Sequence, residues 1–241
     1  MSNHNRIATI LGTEILKGRH RPESNLPSEP ELIARFKVSR TVMREVIKTL
    51  AAKGFVVSKT RIGTRVRDPL HWNMFDADVL AWRSGVGLDA DFVRSLTEIR
   101  RALEPAAAAL AAQRRTTADL AELRRHVSDM ARAGHTRKSF AAVDLALHLA
   151  IGVASGNPLM RSMGSVIEAA LLTSFTSSSP VDNPRDHEKS VQSHSAIVDA
   201  IEQRDTAAAA AATLEVIDAG VRRIAAKQRR DAKGRRRPPE R

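Results

Sequence analysis

The stretch "VSRTVMREVIKTLAAKGF", residues 38–55, decides the fold. Placed at about 100° per residue with Arg40 as origin, Arg44 falls at about 40°, Lys48 at about 80° and Thr41 at about 100°. Val42, Met43, Val46, Ile47 and Leu50 fill roughly the 200–340° arc. The helix therefore hides one apolar side and shows three cations and a threonine on the other. A basic stripe alone is commonly just a solvated face, but its surroundings point further. It starts at a helix N-terminus, where free backbone N–H groups favour phosphate. A short turn, "FKVS", joins it to an earlier helix, "LPSEPELIARF", in which Ser28 and Glu31 have capping-box spacing. "RIATILGTEILKG" is an amphipathic helix that stops at Gly18. After Gly54, "FVVSKTRIGTRV" reads as two strands, 55–59 and 64–67, around a turn with Gly63, and carries Lys59, Arg61 and Arg65. Three helices and a hairpin describe a winged helix-turn-helix. Arginine holds guanine through two hydrogen bonds and lysine neutralises phosphate. The DNA-binding residues expected from the stripe and the hairpin are Arg40, Thr41, Arg44, Lys48 and Arg61.

Charge agrees with that placement. The chain of 241 residues carries a net +12, unevenly spread. Residues 1–68 hold 14 basic against 6 acidic residues and 222–241 hold 10 against 2, so each segment is +8 while 69–221 is −4. Only part of the chain is suited to a polyanion. With no cysteine, disulfides, thiolate metal sites and cysteine nucleophiles are excluded. No apolar run approaches the roughly 18 residues of a membrane span. The opening residues lack the apolar stretch of a signal peptide, so a cytoplasmic protein without membrane contact is expected.

The rest reads as helix. Phe92, Leu96, Ile99, Leu103 and Leu110 recur at helical steps, and further helices are expected at about 117–133, 137–155, 158–177, 187–203 and 206–228. Leu214, Ile217, Val221 and Ile224 form the stripe of the last of these. The expected architecture is mainly α, with a winged helix-turn-helix over 1–70, a linker over 71–90, an all-helical bundle over 91–229 and a disordered basic tail over 230–241. Trp72 and Trp82 belong to an ordinary packed connector, or clamp the linker to a surface of the helical body.

One pair in the body carries chemistry. In "VDLALHLAI", Asp144 and His148 are one turn apart on the side of Phe140, Leu147 and Ile151. A carboxylate and an imidazole facing a core are costly unless something binds them. Together they offer an oxygen and a nitrogen ligand to one point, which suits zinc, nickel or manganese. His194, among Ile197, Val198 and Ile201, also faces inward. His126, His135 and His187 are expected in solvent. The serines of 174–179 have no base and acid at workable spacing.

The segment "LPSEPELIARFKVSRTVMREVIKTLAAKGFVV…RIGTRV" resembles the winged helix-turn-helix of the GntR superfamily of bacterial transcription regulators. The resemblance implies that Arg40 and Arg44 meet the major groove and that the wing at Gly63 enters the minor groove. It departs at Pro30, where the family often has a DNA-contacting arginine. "HWNMFDADVLAWRSG" looks like the aldonate-responsive, specifically D-galactonate-responsive, branch. "LTEIRRALEPAAAALAA" resembles the opening of the FadR-type helical effector-binding (FCD) domain. There an Asp-x-x-x-His pair and two later histidines hold a divalent metal beside a small carboxylate effector. The resemblance places His194 with Asp144 and His148, puts Val216 where the last histidine falls, and turns Arg100 to the effector carboxylate. On local spacing alone Arg100 is free to pair with Glu104, a role assigned instead to Arg101.

The expected function is a homodimeric DNA-binding regulator, a repressor of sugar-acid catabolism, that reads a palindromic operator and senses an acid such as an aldonate. The pocket reads in three ways: a metal on Asp144, His148 and His194, direct hydrogen bonding of the effector by the same residues, or a structural Asp–His pair. The alternatives in function are a metal-dependent enzyme acting on a small acid and an effector-independent DNA-binding protein. No general base with its own positioning partner is evident for the enzyme.

Overall fold

The computed structural model describes residues 2–59, 62–87, 89–177 and 179–234, the side chains of 173–177, 228 and 231–234 excepted. Arg61 and the tail 235–241 lie outside the described residues, as do most of the serines singled out above. The chain forms two compact units, Met1–Leu88 and Asp89–Arg241.

In the first unit, α1 (Asn3–Leu16), α2 (Glu29–Phe36) and α3 (Arg40–Ala52) precede the antiparallel strands β1 (Val56–Lys59) and β2 (Gly63–Val66). The register pairs Val56 with Val66 and Lys59 with Gly63. Glu31 accepts from the backbone N–H and the hydroxyl of Ser28, at 2.7 Å each, which closes the capping box that starts α2. Ser39 caps α3 through Val42 N–H. Ile7, Leu11 and Ile15 of α1 pack with Leu32 of α2, Met43, Val46 and Leu50 of α3, and Phe55. A buried carboxylate, Glu14 of α1, takes two hydrogen bonds from Arg35 of α2 and so ties these helices together.

This core does not end at residue 70. Trp72 stacks on Phe55 with centroids 4.7 Å apart, and Trp82 meets the same ring edge-on at 5.9 Å. Trp82 lies on α4 (Ala77–Val86), and its indole N–H donates to Thr9. The tryptophans thus pack on the winged-helix core. Much of the expected linker belongs to the first unit. Lys53 reinforces this by reaching Asp76 at 2.6 Å and Asp78 at 2.8 Å.

The second unit contains α5 (Ala90–Arg114), α6 (Thr117–Met130), α7 (Arg137–Ala154), α8 (Pro158–Arg161), α9 (Gly164–Ser177), α10 (Pro184–Glu202) and α11 (Thr206–Gly234). The single helix expected over 158–177 is broken, because the chain turns at Ser162 and Met163. The Ser162 hydroxyl donates back to Pro158 C=O there. Along α11 the buried line is Ala209, Thr213 and Ile217, whereas Leu214 and Val221 are exposed. This helix also runs to Gly234, past the boundary expected at 230. Leu123, Phe140, Leu147, Ile197 and Ile201 form the centre of the bundle.

Gly54 ends α3 at φ +82°, and a Cβ there would lie 2.0 Å from His71 C=O. Both the left-handed backbone and the close approach require glycine. Gly54→Ala is expected to destabilise the first unit by about 2 kcal/mol or more. Chemical denaturation of the variant, followed by tryptophan fluorescence, checks this; an unchanged midpoint would refute it.

Candidate functional site

The outer face of α3 is as the rotation predicts. Arg40, Thr41, Arg44 and Lys48 are exposed, and Met43, Val46 and Leu50 are fully buried. Arg40 pairs with Glu29 at 3.1 Å and Lys48 with Glu45 at 2.8 Å, while Arg44 makes no ion pair among the described residues. On the hairpin, Gly63 is exposed at φ +104°. Arg65 is committed internally, to both the carboxylate and the carbonyl of Glu23.

The second unit holds a buried polar centre. On α5 the deepest line is Phe92, Leu96, Arg100, Glu104 and Ala108, so an arginine and a glutamate occupy positions that periodicity reserves for apolar residues. Arg100 and Glu104 bond side by side. Glu104 also reaches Nδ1 of His148 on α7, at 2.8 Å. On the same face of α7, Asp144 Oδ1 lies 2.8 Å from Nε2 of His194 on α10. All five side chains are buried. Asp144, His148 and His194 each turn one ligand atom inward, with these atoms within 4.8 Å of one another.

The outer nitrogens fix the tautomers. His194 Nδ1 lies 2.6 Å from Ser190 C=O, which can only accept, so Nδ1 carries a proton. Glu104 does the same for Nδ1 of His148. Each imidazole then turns its Nε2 lone pair inward. His148 Nε2 is buried with no hydrogen-bond partner among the described residues, and His194 Nε2 is close to Asp144 without an aligned hydrogen bond. Two pinned imidazoles and a carboxylate converging on one point are the donor set of a divalent metal site, with the outer partners orienting the ligands.

Electrostatics fit the same arrangement. Burial pushes the Glu104 carboxyl up, but Arg100 and His148 outweigh it and hold the group at about 2. Burial likewise raises Asp144, yet His194, His148 and Arg100 bring it below the usual carboxylate range. Burial lowers His148, but Glu104 and Asp144 raise it above the ordinary histidine range. The carboxylates thus call for extra positive charge at this point, and a metal on Nε2 supplies what a second proton would.

Arg100, Asp144, His148 and His194 line one cavity of about 530 Å³. Val216 also lines it, and so does Arg223, which the sequence reading passed over. Glu215 points to Arg222 at 2.5 Å and is outside the three-residue cluster. The link from Glu104 to His148 was also missed; the only local signal was its four-residue step from Arg100. Three expectations are corrected. Arg100 has Glu104 as its partner, whereas Arg101 pairs across to Asp218 of α11. His126 is buried against the bundle. His135 and His187 are part-buried, with His187 bonded to Met130 C=O.

Comparison with known proteins accounts for both units. Residues 3–66 match the family of bacterial regulatory proteins, gntR family, and 95–219 match the FCD domain. The galactonate operon transcriptional repressor of Escherichia coli is 31% identical over 93% of this chain and 97% of its own. The chain belongs to the GntR family. This GntR regulator is also similar to the uncharacterized HTH-type transcriptional regulator YieP of Escherichia coli, at 38% identity over 84% of the chain and 87% of that protein. In fold it is similar to the solved structure of Lar, which controls expression of the Listeria monocytogenes agr system. There the TM-score is 0.59 at 20% identity, over 92% of this chain and 98% of that one. The matched domains and relatives are transcription regulators, not enzymes.

Removing one member of a buried ion pair strands the other. Glu104→Gln is expected to destabilise the second unit by about 3 kcal/mol. Replacing both Arg100 and Glu104 with methionine should recover part of that loss. Urea melts of the two variants test the coupling, and a double variant less stable than Glu104→Gln alone would contradict it.

Proposed function

We propose that this GntR regulator is a homodimeric repressor that reads a palindromic operator through α3 and the wing and is released by a small sugar acid bound in the FCD cavity. The observation that carries the reading is the convergence of Asp144, His148, His194 and Arg100 on one cavity whose other walls are rich in lysine and arginine. Such a lining selects an anion that also offers hydroxyls. The name of the Escherichia coli relative, a galactonate operon repressor, supports an aldonate-like acid and negative control.

Asp144, His148 and His194 would hold a divalent metal. When bound, it supplies a Lewis-acidic anchor for a carboxylate and its neighbouring hydroxyl. The partnerless Nε2 of His148 favours this over direct hydrogen bonding. Val216 contributes no ligand at the wall where the resemblance places a further histidine, which leaves room in the coordination shell for the effector. Arg100, fixed by Glu104, directs its remaining N–H groups to the effector carboxylate. Release from DNA follows only if the acid prefers one of two states of the protein. On DNA, Arg44 and Arg40 would read base edges, and Thr41, Lys48, Arg61 and the wing at Gly63 would contact the backbone and minor groove.

Selection of sites from random duplex DNA should return a two-fold symmetric sequence. Anisotropy on that site should show Kd rising steeply with salt and about tenfold or more on adding the effector. Arg44→Ala should weaken binding by about 1–3 kcal/mol and relax base preference at one position of each half-site. Arg100→Ala should hold the operator but no longer respond to the acid. No sequence preference, or normal release of Arg100→Ala, would overturn the reading.

Elemental analysis of protein purified without a histidine tag addresses the metal. About one equivalent of zinc, nickel or manganese per chain is expected, lost in Asp144→Ala. Less than about one-tenth equivalent in the native protein would remove the metal from the account.

A further inference from the structure

Arg223 is a half-buried cation that lies in the field of three carboxylates but is bonded to none of them. It stands on α11 in the wall of the cavity, and its Nε is closed off from solvent with no hydrogen-bond partner. It forms no ion pair among the described residues, whereas Arg100 is matched by Glu104 and Arg222 by Glu215. Burial pulls the Arg223 guanidinium below the ordinary arginine range, with Asp144, Asp186 and Asp182 offsetting this only in part. A half-buried charge with no bonded partner is incompletely solvated, a deficit that an anion can relieve. In a ligand cavity, the missing partner is a group on the ligand.

The position of Arg223 says which group. A turn of a few residues joins α10 to α11, so the two helices run antiparallel. His194 and Val216 lie toward that turn, Lys189 and Arg223 away from it. Val216, Gly220 and Arg223 share one face of α11, and Arg223 is about 10 Å along the axis from Val216. The cavity thus has a metal-ligand end and a cationic end set further along α11, from which Arg223 still feels the charge of Asp144. At the latter, Lys189 also makes no ion pair among the described residues, and Asp186 offsets one of the two cations. With Arg222 and Glu215 cancelling and Arg230 also in the lining, two positive charges remain uncompensated by the wall there.

We propose that the cavity takes a small acid with an oxyanion at each end, one meeting Asp144, His148, His194 and Arg100 and the other gripped by Arg223 with Lys189. The inference rests on the sugar-acid reading above and adds the second charge. A terminal carboxylate, as in an aldarate, and a terminal phosphate, as in a phosphorylated aldonate, share this chemistry.

Matched acids separate these possibilities. Galactonate and galactarate differ only at C6, as do gluconate and glucarate, and 6-phosphogluconate carries the phosphate. In calorimetry on the full chain, at least one acid charged at both ends should bind about tenfold or more tighter than its aldonate. Which one does so identifies the terminal group. Arg223→Gln should bring that ratio close to one, and its melting temperature without ligand should not fall, since an unpaired charge is removed. Equal affinity of the acids charged at one end and at both ends would overturn the proposal, and the native protein alone gives that answer if the variant does not fold. A ratio unchanged in folded Arg223→Gln would equally overturn it. Binding of none of the five acids is a distinct result, which removes the sugar-acid reading and this inference with it.

Discussion

The carboxylate of Glu104 is the point on which the FCD unit depends. It is buried, ionised, and shared between the guanidinium of Arg100 and Nδ1 of His148. One group therefore sets two others: it neutralises an arginine that would otherwise be an isolated charge in the bundle, and it chooses the tautomer that turns His148 Nε2 inward. Ser190 C=O sets His194 from the opposite side. The inner donors are thus positioned by partners outside the ligand set, so the site is organised before anything enters it.

The two units use charge in opposite ways. On α3 the cations are exposed, and their pairs with Glu29 and Glu45 are surface contacts of small worth. Those pairs yield readily to phosphate or base. In the second unit Arg100, Glu104, Asp144 and His148 are buried, and each is strongly felt by its neighbours because burial lowers the local dielectric. The first arrangement suits a partner that is itself a long polyanion, the second a small ion that must be told apart from others.

How much was legible in the sequence depended on the distance over which each signal acts. The amphipathy of α3, the Ser28–Glu31 cap and the shared face of Asp144 and His148 are local, and all are present as read. The inward turn of His194 was legible from Ile197, Val198 and Ile201, but its meeting with Asp144 is tertiary and came only through family resemblance. Glu104 meeting His148, and Arg101 meeting Asp218, depend on how α5 packs against α7 and α11, which spacing does not encode. His126 was misplaced because its polar neighbours masked a buried position. The exposed Leu214 and Val221 show the same weakness on α11: an apolar residue at helical spacing need not be core. Arg223 escaped notice because arginines are common at that end of the chain, and only the cavity distinguishes it.

Trp82 has a consequence for anyone recombining such regulators. Its six-membered ring fills the space where a Cβ on Gly12 would stand, and with Trp72 it covers Phe55. A chimera spliced at residue 70, where the wing ends, would strip both indoles from the reading head and bare that phenylalanine to water. Grafting a foreign sensor after Val86 instead transfers the head with its own lid of aromatic rings, which makes that later seam the natural one for modular exchange.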